Sequence, residues 1–270
     1  MPDSPKAVIQ FNCGTATKKE FYLPFLTYLA HNGYLCCLWN YRGSEQNDQL
    51  KGCDYHFSDY GTMDMPAIKA YLVSRFPELP FFFVAHSAGG QQIGFMPNLT
   101  KVKGSINIAV SSGYYPNMPF GYRMKAYFFF YLFAPLSALF HGYIKAKPYG
   151  FMENLPRNVA FEWRDWLEKE TYFFHKKFYG VSVPIGQFKK FSFPIYVYHA
   201  TDDSISNAKN TRAFWQNVHS KKGINIKAIS PDQFGLKKID HFGYFRKNMQ
   251  DKLWPEMLKI LDDLSGTNSY

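Results

Sequence analysis

A chain of 270 residues with 46% hydrophobic and 19% charged side chains is globular in composition and long enough to bury a substantial core, which excludes a disordered protein. Lys plus Arg number 31 against 21 Asp plus Glu, and this net charge of +10 favours anionic surfaces or ligands without choosing among them. No basic run is interleaved with base-stacking aromatics and no nucleic-acid motif occurs, so nucleic acid is set aside as a partner.

The four cysteines, Cys13, Cys36, Cys37 and Cys53, have no CxxC spacing and are expected to be reduced thiols of a cytoplasmic protein. The segment Met1–Phe11 has no apolar signal core with a cleavage site, so secretion is unsupported. The apolar run KAVIQFNCG, ending at Gly14, predicts a buried strand. KKEFYLPFLTYLAHNG then repeats apolar residues at helical spacing and stops at Asn32-Gly33, a C-cap signal. YLCCLWNYRG predicts a second strand. SDYGTMDMPAIKAYLVSRFP predicts a helix with Ser58 and Asp59 near its start and Pro77 just past its end. The third strand is FFFVA, passing directly into HSAGGQQIGF; GSINIAV, FPIYVYHA and GINIKAIS supply a fourth, fifth and sixth. Apolar strands alternating with helices predict an α/β fold, a mostly parallel sheet with helices on both faces.

The alternation stops between the fourth and fifth strands. Residues 113–190 are expected to form a helical cap inserted into a core made of 1–112 and 191–270. In NLPRNVAFEWRDWLEKETYFF, Val159, Trp163, Trp166 and Leu167 share a helical face opposite most of the charged residues. Upstream, the apolar run Ala126–Phe140 is short of the roughly 20 residues a bilayer span needs, and Pro135 is expected to kink or break its helix. A buried or substrate-facing cap helix is the expectation. Peripheral membrane contact stays open, because Arg123, Lys125, Lys145 and Lys147 flank the run and suit anionic headgroups.

The stretch Ala85-His86-Ser87-Ala88-Gly89 sits where a strand meets a helix. It approximates the nucleophile elbow G-x-S-x-G, a strained turn that raises a serine Oγ above the sheet, with Ala85 in place of the first glycine. A serine needs a base and an orienting acid, which in this arrangement follow in the order Ser, Asp or Glu, His. Asp202 and Asp203 follow the fifth strand, and His241 lies in a loop after the sixth. All leave the same sheet edge as Ser87.

With FYLPFLTYLAHNGYLCCLWNYRGS, VAHSAGGQQIGF, AVSSGYYP, ENLPRNVAFEWRDW, HATDDSIS and DHFGYFR, the chain resembles the α/β-hydrolases. In particular it resembles predicted bacterial serine hydrolases near the serine aminopeptidase and monoglyceride-lipase-like families. The resemblance implies Ser87 as nucleophile, His241 as general base and Asp203 as orienting acid, with Asp202 in reserve. It implies an oxyanion hole of backbone N–H groups from Ala88 and from the NCGTAT loop, foremost Thr15, with Ala16 or Thr17 as alternatives. Two departures stand out: the usual antiparallel strand pair ahead of the first strand is missing, and the oxyanion loop is not glycine-rich.

The implied activity is hydrolysis through an acyl-enzyme, in the first place carboxylesterase or lipase-like action on a small ester with an apolar acyl group. An aminopeptidase, amidase or thioesterase would use the same triad, and Glu153, Glu162, Asp165, Glu168 and Glu170 are the cap carboxylates an exopeptidase would need. A non-catalytic binding protein of the same fold is the reading from another class. The histidines show no metal-ligand spacing and no glycine-rich phosphate loop occurs, so neither metal nor cofactor is assigned.

Overall fold

The computed structural model describes residues 4–44 and 50–266; Met1–Asp3, on which part of the leader reading rests, lie outside them. Six strands form one parallel sheet: β1 (Ala7–Asn12), β2 (Tyr34–Leu38), β3 (Phe81–His86), β4 (Val102–Ile108), β5 (Ile195–Ala200) and β6 (Ile224–Ile229). Their spatial order is β2-β1-β3-β4-β5-β6. The central strands β1 and β3 are buried at every residue, as expected where both faces are covered. The edges differ from the sequence expectation. Most of β6 is exposed, because a strand at the end of the sheet has one neighbour and little cover.

Between the strands run α1 (Leu23–His31), α2 (Met65–Arg75), α3 (Ala88–Gln91), α7 (Ala208–Trp215) and, last, α8 (Trp254–Ser265). The first of these ends at Asn32 and Gly33, whose φ of 93° only glycine adopts without strain. A π-helical turn, Tyr60–Asp64, leads into α2.

The segment joining β4 to β5 contains α4 (Phe120–Tyr127), α5 (Ala134–His141) and α6 (Arg157–Leu167). A π-helical stretch, Phe128–Phe133, welds α4 to α5 into one continuous rod. Pro135 does not break it. The proline falls in the first turn after the π-helical stretch, where the regular bond to the residue four back is already displaced. No helix among the described residues is long and apolar enough to cross a membrane. From α6, Val159, Trp166 and Leu167 are buried, while Trp163 is half-buried against Phe57 and Phe130. Buried side chains of the sheet and of this helical segment form one continuous hydrophobic cluster.

The topology sets where a site can form. After β1 the chain moves to β2 on one side, and from β3 onward it moves the other way. The sheet therefore changes winding direction between β1 and β3, and a crevice opens at the carboxyl ends of those strands. The loop after β1 and the turn after β3 line that crevice.

Candidate active site

Ser87 follows β3 with φ 50° and ψ −121°, a conformation that costs a non-glycine residue energy and must be held by its surroundings. Several neighbours hold it. The Ser87 N–H donates to the Ile108 carbonyl at 2.9 Å. A Cβ on Gly89 would strike the Asn12 carbonyl, and one on Gly90 would strike Val110 and Asn107, so both glycines permit the close approach of α3 to β1 and β4. Ala85 is fully buried and pairs with Asn12 in β1 and Asn107 in β4. The sheet thus accepts its methyl where the elbow pattern has glycine.

The three residues paired by sequence order come together here. His241 Nε2 lies 3.0 Å from Ser87 Oγ, and its Nδ1 lies 2.8 Å from Asp203 Oδ2. The other Asp203 oxygen accepts N–H bonds from Ile205 at 2.7 Å and Ser206 at 2.9 Å. Burial works to raise the Asp203 pKa, but the facing His241 and these donors outweigh it and hold the carboxyl below its ordinary value. Asp202, the reserve, points elsewhere. Its carboxylate accepts from the backbone N–H groups of Ile239 and Asp240 and so braces the loop that carries His241. Asp240 itself has φ 56°, a bend next to His241 that this bracing supports.

The N–H of Ala88 belongs to the first residue of α3, a position without an intrahelical partner. Across the crevice, Gly14 N–H is engaged by the Tyr22 hydroxyl at 3.0 Å, which leaves Thr15 and Ala16 next in the loop. Ala16 has φ 53°, and its carbonyl accepts from Glu153 N–H at 3.0 Å. Thr17 Oγ1 donates back to the Thr15 carbonyl at 3.3 Å.

One group at the site escaped the sequence reading. His86 is fully buried, with Nε2 2.9 Å from the His241 carbonyl and Nδ1 2.9 Å from the Tyr22 hydroxyl. A carbonyl only accepts, so Nε2 carries the proton, Nδ1 accepts from Tyr22, and the Tyr22 oxygen accepts from Gly14. That chain ties the loop after β1, the elbow and the backbone of His241 to one another. Burial, then the nearby His241, pushes the His86 pKa down to about 3, which keeps the ring neutral. The sequence signal was only a polar residue beside Ser87, since Tyr22 and His241 are distant along the chain.

One cavity adjoins the loop that carries Asp203 and another the loop after β1. An apolar one of about 490 Å³ is lined by Met118, Tyr122, Phe128, Phe130, Trp163 and Leu167, and it reaches Ile205, whose N–H serves Asp203. A polar one of about 270 Å³ lies against Gly14, Ala16 and Lys18 and is walled by Tyr41, Lys147 and Glu153.

The family model described as serine aminopeptidase, S33, matches residues 3–114. None of the curated proteins matches the sequence. Among solved structures, a soluble variant of monoglyceride lipase from Saccharomyces cerevisiae, in complex with a substrate analog, superposes with a TM-score of 0.68 at 15% identity, covering 97% of this chain and 88% of that one. The monoacylglycerol lipase of Paleococcus ferrophilus gives 0.59 at 11% identity over 97% of both chains. The esterase domain of a Rhodothermus marinus protein gives 0.53 at 12% identity over 96% and 90%.

Proposed function

The chain has the α/β-hydrolase fold, and on that premise we propose that it is a serine hydrolase acting on carboxylic esters with an apolar acyl group. The observation that carries this reading is the run Ser87–His241–Asp203, at 3.0 Å and 2.8 Å, with Ser87 on a strained turn. His241 Nε2 takes the Ser87 proton as Oγ attacks the ester carbon, and Asp203 holds the ring with Nδ1 protonated. The oxyanion is met by the N–H of Ala88 and by that of Thr15 or Ala16, each donor contributing about 3 kcal/mol in well-studied cases. The proton passes to the departing alcohol, and water activated by the same imidazole then releases the acid from the acyl-enzyme.

Residues 113–190 act as the cap, and the 490 Å³ apolar cavity within them suits an acyl chain. The polar cavity against the loop after β1 suits the alcohol. An exopeptidase would need a carboxylate ready for the substrate ammonium, and four of the five cap acids are already engaged. Glu153 bridges Lys147 at 2.9 Å and Lys18 at 3.8 Å. Glu162 accepts from Ser58, Asp165 pairs with Arg164, and Glu168 meets Tyr131 and Lys169. Glu170 is exposed. This favours an ester over a peptide.

A fluorophosphonate probe tests the chemistry. Wild type takes the label and Ser87→Ala does not; equal labelling of the two would refute the assignment. A series of p-nitrophenyl esters tests the substrate class, with hexanoyl and longer chains expected to exceed acetyl in kcat/KM.

A further inference from the structure

The rod formed by α4, the π-helical stretch and α5 exposes large apolar side chains along its length. Phe120, Met124, Phe128, Leu132, Leu136 and Phe140 recur every four residues, and each is between 46% and 77% exposed. In a regular α-helix a four-residue stripe drifts about 40° per step, so six positions would wind well around the rod. The wider turns of Phe128–Phe133 reduce that drift in the middle of the rod, and all six side chains reach the surface. The stripe is about 30 Å long at 1.5 Å per residue.

The segment that carries it is rich in cations. Between Glu78 and Glu153 the sequence has no Asp or Glu, while Arg123, Lys125, Lys145 and Lys147 border the stripe. The Arg123 guanidinium lies over the Phe120 ring at 5.6 Å from its centroid, an apolar body carrying a cation at its edge. Lys147 shares Glu153 with Lys18; Lys125 is exposed. The apolar cavity opens beside the stripe, since Tyr122, Met124, Phe128 and Phe151 line it and are themselves exposed.

We propose that this face docks on an anionic lipid membrane, with the rod lying in the plane of the headgroups and the cavity mouth turned toward the acyl layer. An amphipathic helix with cations beside its apolar stripe binds in this way, through buried apolar area plus attraction to anionic lipid. A second copy of the chain fits less well, because a two-fold contact would press the cationic border against itself. Docking is independent of the chemistry at Ser87. Delivery of a membrane-dissolved ester to the cavity rests on the proposed hydrolase reading.

Co-sedimentation with vesicles tests it. Wild type is expected to pellet with phosphatidylcholine–phosphatidylserine vesicles, less so as salt rises, and to stay in the supernatant with phosphatidylcholine alone. Leu139→Ser/Phe140→Ser alters two side chains 76% and 77% exposed that do not line the cavity, and Lys125→Glu/Lys145→Glu reverses the border. Each should lower the partition coefficient about tenfold or more. Tyr71→Ser, an exposed aromatic on α2, should leave it unchanged. Ser87→Ala should pellet like wild type, so failure of docking and failure of the hydrolase reading are seen separately. Wild type left in solution, equal binding by all variants, binding indifferent to lipid charge, or a dimer that Leu139→Ser/Phe140→Ser dissolves would each overturn the proposal.

Discussion

Asp202 and Asp203 are neighbours in sequence and take different work. Asp203 faces His241 with one oxygen and two backbone donors with the other, whereas Asp202 caps the turn at Ile239 and Asp240. Their substitution should separate accordingly. Asp203→Asn is expected to lower kcat on a p-nitrophenyl ester by about 10⁴-fold, as the wrong histidine tautomer does in comparable triads. Asp202→Asn keeps an acceptor for the turn and loses its charge, so kcat should stay within about tenfold while stability falls by about 1–2 kcal/mol. Kinetics with thermal unfolding on both variants decides it, and equal collapse of kcat would remove the distinction. At this scale the residues alone did not separate the two aspartates, because each follows β5 within three residues and only the rotation of the loop distinguishes them; the family resemblance put Asp203 first and Asp202 in reserve. The Tyr22–His86 link was not legible at all. Its two ends are 64 residues apart, and no local pattern marks a phenol that donates across a sheet.

Among the elements, those whose burial repeats with a simple period could be read from the chain. Helix α6 is of this kind, with Val159, Trp166 and Leu167 buried on the face that the spacing assigns; the central strands, buried at every residue, were legible instead as unbroken apolar runs. The π-helical stretch at Phe128–Phe133 was not legible, since a run of aromatics gives no period to show a widened turn. Pro135 signalled a break for the same reason: the rule holds for a regular ladder, and the ladder there is already displaced. Trp163 joins these two elements. It reaches from α6 to Phe130 at 5.2 Å and to Phe57 at 5.7 Å, and it walls the apolar cavity. Trp163→Ala should shift the ester series toward longer acyl chains by opening that wall. The loss of stability should be about 2 kcal/mol, below the 3–5 kcal/mol of a fully buried tryptophan, because the ring is only half-buried. An unchanged chain-length profile would place the acyl group elsewhere.

For the whole molecule, the order β2-β1-β3-β4-β5-β6 sets the crevice between the two most enclosed strands, so the site shares its walls with the core. His86 embodies this sharing. Its ring is sealed by Tyr22, Phe242, Phe245 and His241, and the His241 ring centre lies 4.9 Å away. Protonating it in place would put a charge where Tyr22 must donate and beside another imidazole, so acid reaches it mainly through unfolding. In the unfolded chain the ring titrates near its ordinary 6.5, against about 3 when folded. Between those values the unfolded state binds the extra proton. The stabilisation is therefore complete above pH 6.5 and is lost progressively as pH falls toward 3, by about 1.4 kcal/mol per unit where the difference is one full proton. His199, whose pKa burial also lowers, acts in the same direction, and Asp203 adds its own loss only below the ordinary carboxylate value of 3.8. Urea unfolding of wild type and His86→Gln between pH 7 and pH 4.5 isolates the ring, since glutamine retains a donor and an acceptor but does not titrate. The variant should be less stable at pH 7 and lose less on acidification, its slope smaller than that of wild type by up to one proton. Parallel slopes would mean that His86 is protonated within the fold, and that the neutral link from Tyr22 to His241 is wrongly drawn.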